Sequence, residues 1–162
     1  MDTKNIPSLK KPEVLFLSFF GVGFIKYAPG TFGSLAIVPL LYILGQFNPP
    51  FFLFIPFLLI LTALSSVIAE FAQKKYELHD PGWIVIDEVI GMFFAWLFVR
   101  DNNLIHLAIV FALFRFFDIV KIWPASFFDK KVKHGAGTIL DDIVSGLYAG
   151  ALSYLIITYL KL

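Results

Sequence analysis

Residues able to do chemistry crowd into one stretch of this chain. Between Phe114 and Gly150 stand Arg115, Asp118, Lys121, Asp129, Asp141 and Asp142, set between two apolar segments. An ionisable side chain at the centre of a membrane segment costs roughly 2.5–3.5 kcal/mol on insertion scales, so such groups pair, line a wet cavity or react. Two further acids, Asp87 and Glu88, lie near the start of an apolar run upstream. Carboxylates gathered in one place repel unless a cation joins them. With oxygen donors only and no cysteine in the chain, the expected cation is a hard one, and Mg²⁺ bound partly through a substrate phosphate is the usual arrangement. The candidate ligands are Asp87, Glu88, Asp118, Asp141 and Asp142, with Asp129 a further possibility.

Arg115, Asp118 and Lys121 are spaced i, i+3, i+6, which spreads them over about 120° of a helix. Arginine offers a phosphate a planar fork and lysine a point charge, while Asp118 can hold either a metal or the arginine. A salt-bridged structural trio is the plainer reading. Asp87 and Glu88 likewise need do no more than favour a helix N-terminus, worth about 0.3–1 kcal/mol. Glu88 shares a stripe with Gly91 and Ala95, and Asp142 one with Ser145, Gly146, Ala149, Gly150 and Ser153. Small residues let helices approach closely in lipid, so both acids should face protein. Trp123 reads as an interfacial anchor. His79, His106 and His134 lie in different regions without ligand spacing, so a zinc site is not expected.

The elements that must position these groups are membrane helices. Of 162 residues 59% are hydrophobic and 20 are phenylalanine, far from soluble norms and enough for one domain. A polar tail over residues 1–13, with no removable signal peptide expected, precedes a single membrane-embedded domain over residues 14–162. The fold class is therefore all-α, a polytopic bundle of four to five transmembrane helices plus an N-terminal interfacial helix from Val14 to Ile25. The apolar segments are Leu35 to Phe47, Phe51 to Ala69, Trp83 to Val99, Leu104 to Phe117 and Ile143 to Leu160. In the loop from Lys26 to Ser34, Thr31 or Ser34 is expected to cap the helix that follows. A net charge of +1, without a basic stripe, argues against a nucleic-acid partner. Lys10, Lys11, Lys74, Lys75, Lys121, Lys130, Lys131 and Lys133 fall in alternate loops, which the positive-inside rule places in the cytoplasm. The Pro29 to Ser34 loop, Asp87 and the Arg115 to Asp142 stretch then converge on one membrane face, an arrangement suited to phosphoryl chemistry on a lipid headgroup.

These residues also resemble a known family. Gly21-Val22-Gly23-Phe24 with Ala28-Pro29-Gly30-Thr31-Phe32-Gly33-Ser34, Ile86-Asp87-Glu88-Val89-Ile90-Gly91, Phe114-Arg115-Phe116-Phe117-Asp118 with Lys121 and Trp123-Pro124, Phe128-Asp129, and Gly135-Ala136-Gly137 leading to Asp141-Asp142-Ile143-Val144 are similar to phosphatidylglycerophosphatase A. The resemblance implies a Mg²⁺-dependent phosphatase of the bacterial inner membrane that converts phosphatidylglycerophosphate to phosphatidylglycerol and inorganic phosphate. Two departures are Ile122 before Trp123-Pro124, where the family commonly has proline, and His134, where it commonly has glycine.

The resemblance and the residues together assign catalytic work to Asp87, Glu88, Asp118, Asp142, Arg115 and Lys121. Phosphate contacts fall to Thr31, Ser34, Arg115 and Lys121. The chain has neither a cysteine nor an Asp-x-Asp pair, so an attacking water is preferred to the common covalent schemes. Two other classes compete: a CDP-alcohol phosphatidyltransferase-like enzyme, whose linked Asp-Gly and Ala-Arg signature is missing, and an ion-coupled transporter, which would carry its acids nearer mid-membrane.

Overall fold

The computed structural model describes residues 7–78, 81–131 and 135–161, and among these it is all-helical. His79 and His134 lie outside the described residues, and the Asp129 side chain is likewise outside the description. Seven helices follow in order: α1 (Pro12–Leu17), α2 (Pro29–Phe47), α3 (Phe51–Tyr76), α4 (Ile86–Trp96), α5 (Leu104–Val120), α6 (Ala125–Lys131) and α7 (Gly135–Leu160). A short 3-10 turn, Val22–Phe24, leads from α1 towards α2.

Among the described residues three helices are long and apolar enough to cross a membrane: Pro29–Phe47, Phe51–Tyr76 and Gly137–Leu160. At 1.5 Å per residue even the 19-residue α2 covers roughly 28 Å, about one hydrocarbon thickness. Pro39 and Pro56 fall inside α2 and α3 without ending them, as membrane helices permit. Two of the remaining apolar runs form shorter helices than hydropathy implies, Val14 to Ile25 and Trp83 to Val99. The run from Trp83 to Val99 forms only the 11-residue α4, roughly 17 Å long. Its Ile86, Asp87, Val89, Ile90, Gly91, Met92, Phe93, Ala95 and Trp96 are all buried. It is apolar because protein surrounds it: α4 packs most extensively on α7 and next on α2.

Two contacts fix the ends of α4. Before it, the Val85 amide donates to Leu17 O at 2.9 Å, tying the chain to α1. After it, Trp96 Nε1 donates to Asp101 O at 3.1 Å, and the Asn103 side chain caps α5 by accepting from the Ile105 amide. Phe54, Phe93 and Trp96 meet edge to face, with centroids 5.6–5.9 Å apart, joining α3 to this buried helix.

The Lys26 to Ser34 segment differs from its expected form. The α2 helix already begins at Pro29, after a left-handed Ala28, and no side chain caps it. Proline is pre-organised for the first helical position. Thr31 and Ser34 therefore stand inside the helix, and the Ser34 hydroxyl donates to Gly30 O at 2.8 Å. The last helix also starts early, at Gly135, so Asp141 and Asp142 occupy its second turn instead of opening it. The α5 helix runs past Phe117 to Val120, with Lys121 as a left-handed cap.

Candidate active site

Asp87 and Glu88 sit in the first turn of α4, and Asp142 lies on the α7 face packed against it. Two glycines make that packing possible. A Cβ on Gly91 would come within 2.8 Å of Asp142 O, and one on Gly146 within 3.0 Å of the Gly91 carbonyl carbon. Backbones in such contact bring the three carboxylates together: an oxygen from each of Asp87, Glu88 and Asp142 lies within 4.8 Å of the other two. Asp87 and Asp142 are buried. Asp87 Oδ1 accepts from the Glu88 amide at 3.1 Å.

Three negative charges this close in a buried setting repel one another strongly. Glu88 Oε2 is buried and has no hydrogen-bond partner among the described residues. An all-oxygen set with one orphaned lone pair is what a hard divalent cation fills, so the residues fit the ion that the sequence calls for.

Beside this triad lies a cation. Arg115 Nη1 donates to Asp118 Oδ2 at 2.8 Å and to Ser34 Oγ at 3.2 Å. Glu88 Oε1 and Arg115 Nη1 both lie against Gly30, where a Cβ would overlap the first and stand 3.4 Å from the second. The α2 turn from Gly30 to Ser34 is thus the floor on which an acid of α4 and an arginine of α5 lie side by side. Sequence reasoning placed Gly30 in a loop. The signal that locates it is proline at the first helical position, which puts Gly30 and Ser34 four residues apart on one face.

The other candidates are placed as follows. Lys121 Nζ pairs with Asp141 Oδ2 at 2.7 Å, so Asp141, though buried, belongs to a neighbouring ion pair between the end of α5 and α7, outside the triad. Thr31 is half-buried on α2. His106 lies near the opposite end of α5 from Arg115 and bonds Asp101 at 2.5 Å.

Comparison with known proteins gives this constellation a context. Residues 15–157 match the phosphatidylglycerophosphatase A family. The chain belongs to that family. Phosphatidylglycerophosphatase A of Haemophilus influenzae is 37% identical over 159 residues, covering 91% of this chain and 92% of that protein. The Escherichia coli protein of the same name is 32% identical over 153 residues, covering 94% and 88%. A Bacteroides thetaiotaomicron protein provisionally named a phosphatidylinositol-3-phosphatase is 34% identical over 149 residues, covering 87% and 92%. No solved structure matches. Membership of the phosphatidylglycerophosphatase A family makes the chain a phosphatase, and it removes the transporter and phosphatidyltransferase alternatives.

Proposed function

We propose that this chain hydrolyses the terminal phosphate monoester of phosphatidylglycerophosphate, releasing phosphatidylglycerol and inorganic phosphate, with Mg²⁺ as cofactor. The observation that carries this reading is the triad of Asp87, Glu88 and Asp142, with Glu88 Oε1 and Arg115 Nη1 side by side on the Gly30 turn. Anion-binding and cation-binding groups meet at one point, as phosphomonoester hydrolysis requires.

In this reading Asp87, Glu88 and Asp142 hold the ion, with Asp118 alongside. A bound Mg²⁺ supplies charge neutralisation of the phosphate and an acidified water. Arg115 supplies a guanidinium to hold an equatorial phosphate oxygen, and its buried Nε has no partner among the described residues. Lys121, a third exposed where Asp141 is enclosed, adds positive charge at the outer edge, and Thr31 offers a hydroxyl from α2. Water attacks phosphorus, the bond to the glycerol oxygen breaks, and that oxygen leaves with a proton as the free hydroxyl. The lysines between the apolar segments orient this face to the cytoplasm of a bacterial inner membrane.

The test is inorganic phosphate release by detergent-purified protein from phosphatidylglycerophosphate and, in parallel, from phosphatidylinositol 3-phosphate, the headgroup named in the Bacteroides relative. Each is run with Mg²⁺ and with EDTA, for the native chain and for Asp142→Asn. The expected result is Mg²⁺-dependent release from phosphatidylglycerophosphate, reduced at least about 1,000-fold in the variant by loss of a charged ligand. Preferential release from the inositol lipid would replace the substrate, and undiminished release in EDTA would sink the metal assignment. With a phosphate monoester made chiral by oxygen isotopes, inversion at phosphorus supports direct attack by water and retention a phosphoaspartate.

A further inference from the structure

The hydrogen bonds of the Ser34 hydroxyl are directed inward. Ser34 is fully buried, its O–H donates to Gly30 O at 2.8 Å, and its oxygen accepts from Arg115 Nη1 at 3.2 Å. A hydroxyl has a single proton to give. A phosphate oxygen only accepts, so to bind it Ser34 would have to release the Gly30 carbonyl. On the opposite side Asp118 takes the same Nη1 at 2.8 Å. The guanidinium is therefore held at one corner by a hydroxyl from α2 and a carboxylate of its own helix, while its Nε stays buried without a partner among the described residues.

We infer that Ser34 is a positioning residue: with Asp118 it brackets the Nη1 corner of Arg115 and so fixes the orientation in which the guanidinium meets the substrate phosphate, and it makes no contact with that phosphate itself. This rests on the phosphomonoesterase reading given above. Arginine carries several rotatable bonds, and a guanidinium held by two oxygens enters the reaction already oriented. Gly30 belongs to the same device, because a side chain there would push into both Glu88 and Arg115. The bracket also answers a charge problem. Asp118 alone would draw Arg115 along α5, whereas a neutral acceptor on a second helix holds it across the α2–α5 gap without adding a negative charge near the phosphate.

A residue that works only through Arg115 must lose its effect when Arg115 is changed. The experiment is a double-mutant cycle on kcat/KM for phosphate release from phosphatidylglycerophosphate, using Ser34→Ala, Arg115→Lys and the double variant. Ser34→Ala alone is expected to lower kcat/KM about 10-fold, the scale of one hydrogen bond to a charged group, and to cost less than about 2-fold in the Arg115→Lys background, where the fork is gone. Equal losses in both backgrounds overturn the inference and make Ser34 a direct phosphate ligand or a fold residue. No loss in the native background overturns it as well. If Ser34→Ala does not fold, Ser34→Cys keeps the volume and weakens the acceptor, and the cycle is repeated with it. If Arg115→Lys leaves no measurable turnover, the same cycle is read as binding of the phosphonate analogue of phosphatidylglycerophosphate. Absence of phosphate release by the native chain sinks the phosphatase reading and this inference together. Release with additive losses sinks the inference alone.

Discussion

Replacing Gly146 by alanine tests whether the α4–α7 contact builds the carboxylate triad. The new Cβ would lie 3.0 Å from the Gly91 carbonyl carbon and 3.3 Å from its Cα, where carbon pairs settle at about 3.5–4.0 Å. The obstacle is backbone and cannot rotate away, so the helices must part by roughly 0.5–1 Å. Asp142 lies one turn before Gly146, and Glu88 one turn before Gly91, so the separation passes directly to oxygens that now sit within 4.8 Å of one another. A displacement of about 1 Å at a catalytic group can cost roughly 100-fold in rate. Gly146→Ala is therefore expected to lower kcat for phosphate release by about 100-fold and to raise the Mg²⁺ concentration needed for half-maximal activity, while the protein still inserts and purifies as the native chain does. Phosphate release across a Mg²⁺ titration measures both quantities. Near-native kcat at ordinary Mg²⁺ would refute the reasoning, because the triad would then tolerate a wider helix separation than its oxygen spacing allows.

Two further outcomes follow from ion pairs outside the triad. Glu13 accepts from Lys75 Nζ at 2.6 Å and from Tyr76 O–H at 2.7 Å, and these bonds hold its carboxyl down at about 2 from an ordinary 4.5. The folded-state value is depressed, so the stability that Glu13 gives to the α1–α3 contact is complete above about pH 4.5 and is lost as pH falls towards 2. Thermal unfolding in detergent should show that acid loss in the native chain and not in Glu13→Gln; identical profiles would exclude it. Lys121→Met takes the ammonium away from buried Asp141 and should cost about 2 kcal/mol, less than the 3–5 of a fully enclosed pair because Lys121 is a third exposed. Adding Asp141→Asn should restore part of that loss, and unfolding of the two variants that shows no recovery would separate the residues energetically.

The sequence carried the all-α bundle, since long apolar runs bounded by charged turns leave membrane helices as the economical reading. It also carried the inward aim of Asp142, through the small-residue face that runs from Ser145 to Ser153. It did not carry the depth of α4. Hydropathy records that a side chain avoids water and cannot distinguish lipid from protein as the alternative, so a buried 11-residue helix and a spanning one look alike. Helix starts at Pro29 and Gly135 were hidden for a different reason: glycine-rich stretches are read as loops, while here glycine is what allows α2 to meet Glu88 and Arg115. The spacing of Arg115, Asp118 and Lys121 foretold a shared arc, but a left-handed Lys121 ends the helix before the arc is complete and turns that lysine to Asp141.

The three acids and the arginine come from three helices, α4, α7 and α5, and the hydroxyl that steadies the arginine from a fourth, α2. No pair of them is local in sequence except Asp87 and Glu88. A site assembled this way draws its geometry from close contacts at three glycines, to side chains of Glu88 and Arg115 at Gly30, to the Phe114 ring and Asp142 O at Gly91, and to backbone at Gly146, with little room for even one methyl group. Those contacts are also the reason that strong like charges can be kept together in an apolar chain. Closely packed helices have little freedom to relax the carboxylates apart, so on the proposed reading a bound cation, with Arg115 beside it, would relieve their repulsion in place of movement. Loosening the packing at any of the three glycines should therefore weaken metal binding before it unfolds the bundle.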